Sequence, residues 1–319
     1  MTAMAKKSAI PTGTSVSVKV PATTANLGPG FDTLGLALSL YDELDVTVRA
    51  EPGVHVTVSG VGEGDVPTDD SNLVARAIYH VFERYGVPLP GLEIAARNVI
   101  PHGRGLGSSG AAIVSGIMAA KGLLTGIAEL DSVALLELAT EMEGHPDNVA
   151  PALFGGLTIA WVEDSGPKHK RLIAHRGVSA VVFVPEAAMS TALARSLQPA
   201  SVPHEDAIFN VSRSALLVAA LVQSPELLFA ATEDRLHQSY RASAMRETDD
   251  LIRMLRSHGL AAVVSGAGPS VLVLGSDPGQ RLTAAELVDE NSESPWQALM
   301  LAVDFKGATV IVHPVEGSD

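Results

Sequence analysis

Cysteine is absent from the 319 residues. That removes disulfides, thiol nucleophiles and cysteine metal centres from consideration. Positive charge is scarce too: 22 Lys and Arg stand against 36 Asp and Glu, for a formal net charge of −14. A surface of that sign repels phosphate backbones and anionic bilayers, so neither nucleic acid nor membrane is expected as a partner. No apolar run reaches the roughly 18 residues of a membrane span. The basic start Met1-Thr2-Ala3-Met4-Ala5-Lys6-Lys7 leads into no apolar stretch, so a secretory signal is not expected and a cytoplasmic enzyme is. Internal repeats and low-complexity tracts are missing as well. What remains is a chain that is 46% hydrophobic, enough for one large or two ordinary domains with real cores.

Residues 1 to about 14 are expected to be disordered. Period-two alternation marks Ser15-Val16-Ser17-Val18-Lys19-Val20 and Val54-His55-Val56-Thr57-Val58 as half-buried strands. Between them an apolar stretch, 34–40, precedes an acidic strand, 43–49. Asp70-Ser71-Asn72 is placed to cap an amphipathic helix with Leu73, Val74, Ala77, Ile78, Val81 and Phe82 on one face. A strand at 92–100, a small-residue helix from Ala111 and a helix at 132–143 follow. The polar stretch 163–170 is either a domain boundary or a long hairpin loop. Beyond it the pattern predicts a strand at 179–184 and helices at 205–221, 239–257 and 295–303. A hairpin around Gly266-Ala267-Gly268-Pro269 and a strand at 308–313 complete the set. Strands and helices mix without strict alternation, so the expected class is α+β in two layers. A boundary in the polar stretch gives domains 1–165 and 166–319.

One stretch organises the rest: Pro101-His102-Gly103-Arg104-Gly105-Leu106-Gly107-Ser108-Ser109-Gly110-Ala111-Ala112. Alternating glycines let backbone approach a ligand closely, and the helix that follows offers unpaired N–H groups and a positive dipole end. Such a loop is an anion site, most often for phosphate. Residues 105–110 also match G-x-G-x-x-G, but Glu129 and Asp131, the acids near the right distance, sit in a turn rather than after a strand. A P-loop would end in Gly-Lys-Ser/Thr, and no lysine occurs in this loop before Lys121. Both of those readings fail on context.

Pro101 with Gly105-Leu106-Gly107-Ser108-Ser109 resembles the second motif of the GHMP kinases, which phosphorylate galactose, homoserine, mevalonate and phosphomevalonate. Lys19 to Asp32 resembles the first motif, and Val264-Ser265-Gly266-Ala267-Gly268-Pro269-Ser270-Val271 the third. The resemblance implies a two-domain GHMP kinase architecture, with a ribosomal protein S5-like N-terminal domain and a ferredoxin-like C-terminal one. It implies ATP, cradled by Pro101, Gly103, Arg104, Gly105, Leu106, Gly107, Ser108, Ser109, Gly110 and Ala111. It implies Mg2+ on Ser109 and an acid of the helix 132–143, where Glu137, Glu141 and Glu143 compete and Glu141 best matches the family position. The family usually has Ala where this chain has Gly110. Arg104 stands at a variable loop position, as a charge for ATP or for solvent.

Within the family the details resemble the homoserine-phosphorylating branch. Pro21 to Asp32, His145-Pro146-Asp147-Asn148-Val149-Ala150-Pro151, Ser190-Thr191-Ala192-Leu193-Ala194-Arg195, and His237 with Arg241 carry this. The implied substrate is L-homoserine, on the route to threonine, and the implied assembly is a homodimer. A zwitterion suits these residues: Asn26 and Asp32 for its ammonium, the forks of Arg195 and Arg241 for its carboxylate, and His145 for either group or the hydroxyl. Asp147 and Asn148 are expected beside the reacting hydroxyl, without an assigned general base. A mevalonate or sugar acceptor, or a silent binding protein on the same fold, are the alternatives.

Overall fold

The computed structural model describes residues 9–313. Its first half runs Ser15–Ala25 (β1), Leu34–Arg49 (β2), Val54–Gly60 (β3), Leu73–Tyr85 (α1), Gly91–Asn98 (β4), Ser108–Leu123 (α2), Ser132–Glu143 (α3) and Pro146–Phe154 (α4). Leu157–Glu163 (β5), Gly166–Leu172 (β6), Ser179–Pro185 (β7), Thr191–Ser196 (α5), His204–Val222 (α6), Leu228–Ala231 (α7) and Gln238–Arg241 (α8) follow. Arg246–Ser257 (α9), Ala261–Val264 (β8), Val271–Gly275 (β9), Gly279–Asn291 (α10), Trp296–Leu301 (β10) and Thr309–His313 (β11) finish the described chain.

Alternation puts Val16, Val18 and Val20 of β1 and Leu44, Val46 and Val48 of β2 on one buried face. These strands pair antiparallel in a sheet ordered β11-β1-β2-β4-β3, with β5 joined to the start of β2 and β6 to β5. Only β3 and β4 run parallel, because α1 carries the chain back between them. The opposite face carries charge: Lys19, Glu43, Arg97 and Asp45 form cross-strand pairs at 3.0–3.4 Å. One face is therefore covered by helices and the other is polar, which is the two-layer arrangement expected.

Asn72 caps α1 by accepting from Val74 N–H at 2.9 Å, and Gly86 ends it in the left-handed region at φ 62°. Helix α2 is buried along most of its length, so it has no polar stripe to show; its small residues let neighbours come close. At Gly116 an added Cβ would lie 2.5 Å from Val74 O and 2.6 Å from Ala77 Cβ of α1. The second sheet, β10-β7-β9-β8, is fully antiparallel, and α9 and α10 cover one face through Leu251, Leu255, Ala284 and Val288.

Several expectations need correction. Residues 1–8 lie outside the described residues, but 9–14 are ordered: Ile10 is buried and Gly13 N–H donates to Val48 O at 2.9 Å. The stretch 163–170 is the β5–β6 hairpin, and β6 stays in the first sheet. A cut at 165 is further undone by β11, which returns from the far end of the chain to pair with β1. The helix expected at 295–303 is strand β10, paired with β7 from Trp296↔Pro185 to Leu301↔Ala180; the open edge of β7 decides it. Helices α4 and α10 were not foreseen.

Gly116→Ala tests the helix contact. Alanine is the better helix former by about 1 kcal/mol, yet overpacking against α1 costs typically 1–3 kcal/mol. Denaturant unfolding is expected to show Gly116→Ala less stable than the parent by about 1 kcal/mol, opposite in sign to propensity.

Candidate active site

Gly103, Gly105 and Gly107 have φ of 64°, 72° and 69°, conformations that exclude ordinary side chains. At Gly105 and Gly107 space excludes them as well. A Cβ on Gly105 would lie 2.0 Å from Ser265 O, and one on Gly107 2.0 Å from Thr23 Oγ1. The loop is thus pressed between the end of β1 and the turn joining β8 to β9. Thr23 N–H donates to Leu106 O at 3.1 Å, and Ser265 Oγ donates to Gly105 O at 2.7 Å. Helix α2 then starts with no side-chain cap, leaving its first N–H groups for an anion.

A cavity of about 150 Å3 opens at this helix start, lined in part by Asp32, Ser109, Glu143, His145, Arg195 and Arg241. Asp32 accepts both arms of the Arg195 fork, at 3.0 and 3.1 Å. Arg241 is buried, with Nη1 3.4 Å from Gly266 O and its guanidinium 5.2 Å from the Phe31 ring centre. Burial pushes its pKa down, against the pull of Asp32. The Gln198 amide accepts from Arg241 Nε at 2.8 Å and donates to Leu236 O at 3.2 Å. Gln198 thereby links the end of α5, where Arg195 sits, to Arg241.

Asn26 lines the cavity but spends its amide on the loops: Nδ2 donates to Gly266 O at 2.8 Å and Oδ1 accepts from Asp32 N–H at 2.9 Å. Asn26, Leu27 and Asp32 all have positive φ, at 71°, 50° and 52°. That conformation is costly without glycine and marks a turn held by its surroundings. Asn148 Oδ1 accepts from Thr23 Oγ1 at 3.0 Å. Asp147, at the start of α4, is hydrogen-bonded to His145 Nδ1. That bond raises the His145 pKa above its ordinary 6.5, against the effect of burial.

Three expectations move. Glu141, expected on the metal, instead pairs with Arg84 at 2.7 Å and His80 at 3.2 Å on the side of α3 away from this cavity. The carboxylate beside Ser109 is Glu143, whose Oε2 accepts from Ser109 Oγ at 2.8 Å; burial pushes it up. Arg104, expected on ATP, donates to three carbonyls: Pro185 O (2.9 Å), His102 O (2.8 Å) and Glu186 O (2.5 Å). His237 is buried under Phe31, with Nε2 2.7 Å from Gly28 O, and is not one of the residues that line the cavity. Pro101 opens the loop, while Leu106 and Ala111 are core residues that support it. Gly110 has room for the family's Ala: the nearest atoms to its Cβ would be 3.5 Å away. Gln198 escaped notice because a lone Gln after a short helix carries no sequence signal.

A second cavity, of about 230 Å3, opens on the other side of the helix start and shares Ser108 and Ser109 with the first. Its walls are largely apolar, including Leu44, Val56, Val58, Leu73, Ile94 and Ala96.

Family models for the GHMP kinases N terminal domain and the GHMP kinases C terminal match residues 72–156 and 216–292. The chain belongs to the GHMP kinase family. Among its relatives, homoserine kinase of Clavibacter michiganensis is 74% identical over 306 residues, covering 96% of this chain and 97% of the relative. That of Leifsonia xyli is 76% identical over 298 residues, covering 93% and 92%. The crystal structure of homoserine kinase from Cytophaga hutchinsonii superposes with a TM-score of 0.82 at 28% identity, over 93% of this chain and 97% of that one.

Removing the Asp147 carboxylate tests the His145 pair. In Asp147→Asn the His145 titration midpoint, read from its ring-proton NMR signals, is expected to fall from above 6.5 toward that value. A raised folded-state pKa stabilises most below 6.5 and loses that contribution as pH climbs through the folded midpoint. The stability advantage of the parent over Asp147→Asn therefore shrinks as pH climbs above 6.5; an advantage that grows would contradict the pairing.

Proposed function

We propose that the protein transfers the γ-phosphoryl group of ATP to the side-chain hydroxyl of L-homoserine. The observation that carries this reading is one small cavity holding an uncapped helix start beside opposite charges, Asp32 against Arg195 and Arg241. A zwitterionic amino acid supplies the complement: its ammonium to Asp32, its carboxylate to the two arginines. The Asp32–Arg195 pair satisfies itself in the free protein, and the substrate's own charges replace each partner. Identities of 74% and 76% to homoserine kinases across nearly the full chain support the same acceptor.

The apolar cavity suits a purine ring, and its shared wall at Ser108 and Ser109 leads from the base to phosphates over the α2 N–H groups. Transfer is then in line: the homoserine oxygen bonds to the γ-phosphorus and passes its proton to an oxygen of the transferred phosphoryl group, as the bond to the β,γ-bridging oxygen breaks and ADP leaves. A loose transition state asks little of a base, so Asp147 with His145, and Asn148 with Thr23, act by holding the floor beside the hydroxyl. The donor set also fits Mg2+: Ser109 Oγ and Glu143 Oε2 lie 2.8 Å apart, two hard oxygens, and the half-buried Glu143 makes no ion pair among the described residues. Bound there, Mg2+ supplies charge neutralisation to the phosphates. A homodimer and a cytoplasmic setting belong to the same reading and rest on the resemblance alone.

ADP release from Mg2+–ATP with L-homoserine, D-homoserine, L-serine, mevalonate and galactose tests the acceptor. Turnover is expected with L-homoserine alone; a preference for mevalonate or galactose would overturn the zwitterion reading. For the metal, Glu143→Gln is expected to raise the Mg2+ concentration at half-maximal rate by about tenfold or more. Glu141→Gln, out on the Arg84 pair, is expected to leave it within about twofold. The reverse pattern would return the metal to Glu141.

A further inference from the structure

Four side chains of β2 point into the layer between sheet and helices: Asp42, Leu44, Val46 and Val48, all buried. Three are the apolar residues that an inward strand position calls for. The fourth is a carboxylate, only 8% exposed. Burying one costs free energy unless its oxygens find partners. One oxygen has them: Oδ1 accepts from Val99 N–H at 2.7 Å and Ile100 N–H at 3.0 Å, where β4 turns into the glycine loop. An amide oxygen would serve that purpose equally well. The second oxygen, Oδ2, makes no hydrogen bond among the described residues, and Asp42 lines the apolar cavity.

His102 and Ser115 share that wall with Asp42, and two of its amides are already committed. Asn72 donates to Pro67 O and accepts from Val74 N–H, and Asn98 donates to Val61 O. Ser108 and Ser109 stand at the phosphate end. A flat ring seated between Leu44, Ile94 and Leu73 meets one strong acceptor at the Asp42 end. We infer that Asp42 Oδ2 reads the exocyclic amine of adenine, and so selects adenine over guanine nucleotides. Adenine presents an N–H donor at that edge, whereas guanine presents a carbonyl oxygen whose lone pairs would face the carboxylate. Burial pushes the Asp42 carboxyl up while the two backbone N–H groups hold it down; a further donor adds to their side. The inference rests on the apolar cavity being the base pocket of the proposed kinase.

The test compares ATP, GTP and purine riboside triphosphate, which lacks the exocyclic amine, with L-homoserine as acceptor in the parent and in Asp42→Asn. The variant keeps an oxygen for Val99 and Ile100 but turns Oδ2 into a donor. In the parent, kcat/KM for purine riboside triphosphate is expected to be about tenfold or more below that for ATP, the size of a charge-assisted hydrogen bond. In Asp42→Asn that gap is expected to close to about twofold, with the ATP-over-GTP ratio dropping about tenfold or more. Equal use of ATP and purine riboside triphosphate by the parent would overturn the role of Asp42 whether or not the variant folds. So would unchanged ratios in a folded variant, and both outcomes leave the kinase reading standing. No turnover with any nucleotide would overturn that reading and this inference with it.

Discussion

The contact between two glycine turns is the constraint on which the site depends. Gly105 sits so close to Ser265 that no side chain fits between them, and Gly266 and Gly268 face it from the other turn. Because Ser265 Oγ is also hydrogen-bonded to Thr24 Oγ1 at 2.9 Å, the end of β1, the glycine loop and the β8–β9 turn form one hydrogen-bonded seam. The three motifs far apart in the sequence meet here. A phosphate site built of backbone N–H groups has no side chain to adjust its aim, so its precision has to come from such packing.

Opposite the seam, Asp32 and Arg195 pair with each other while Arg241 is held apart from them by its own neighbours. Asp32 stands at φ 52° on a loop that Asn26 holds through two hydrogen bonds. Arg195 comes from a short helix capped by Ser190, which accepts from Leu193 N–H at 3.2 Å. Arg241 is wedged between Phe31 and Gln198. Each charged group is placed by a neighbour that carries no charge itself. Strained backbone at Asn26 and Asp32 is tolerated because these contacts over-determine it.

Much of this was legible in the sequence, and the failures have physical reasons. Alternation found β1 and β3, the Asn72 cap and Gly86 fixed the ends of α1, and the three motifs brought the right loops together. Glu141 was preferred over Glu143 by its position in the motif, yet two residues along a helix differ by about 200° in direction, and only Glu143 points at Ser109. Residues 296–301 have no helix period of their own; the unpaired edge of β7 made them a strand. The return of β11 to β1 is a long-range pairing that no local pattern encodes. Asp42 fell between the expected stretches 34–40 and 43–49; only as part of the single strand β2 does it become the one break in an apolar alternation, and its meaning required the cavity beside it.

Arg104 shows how far an isolated charge in a sequence can mislead. Three carbonyls take its donors, one at the last residue of β7 and one in the segment that follows it. Met189 N–H adds a bond from the same segment to Gly103 O at 2.9 Å. That segment leads directly to Ser190 and Arg195. The glycine loop proposed for the phosphates and the helix proposed for the substrate carboxylate are therefore anchored to each other, across the junction of the two sheets. Alignment of donor and acceptor in an in-line transfer depends on the relative position of those two pieces. The donors of Arg104 are spent on backbone carbonyls, so its part is to hold the loop in place.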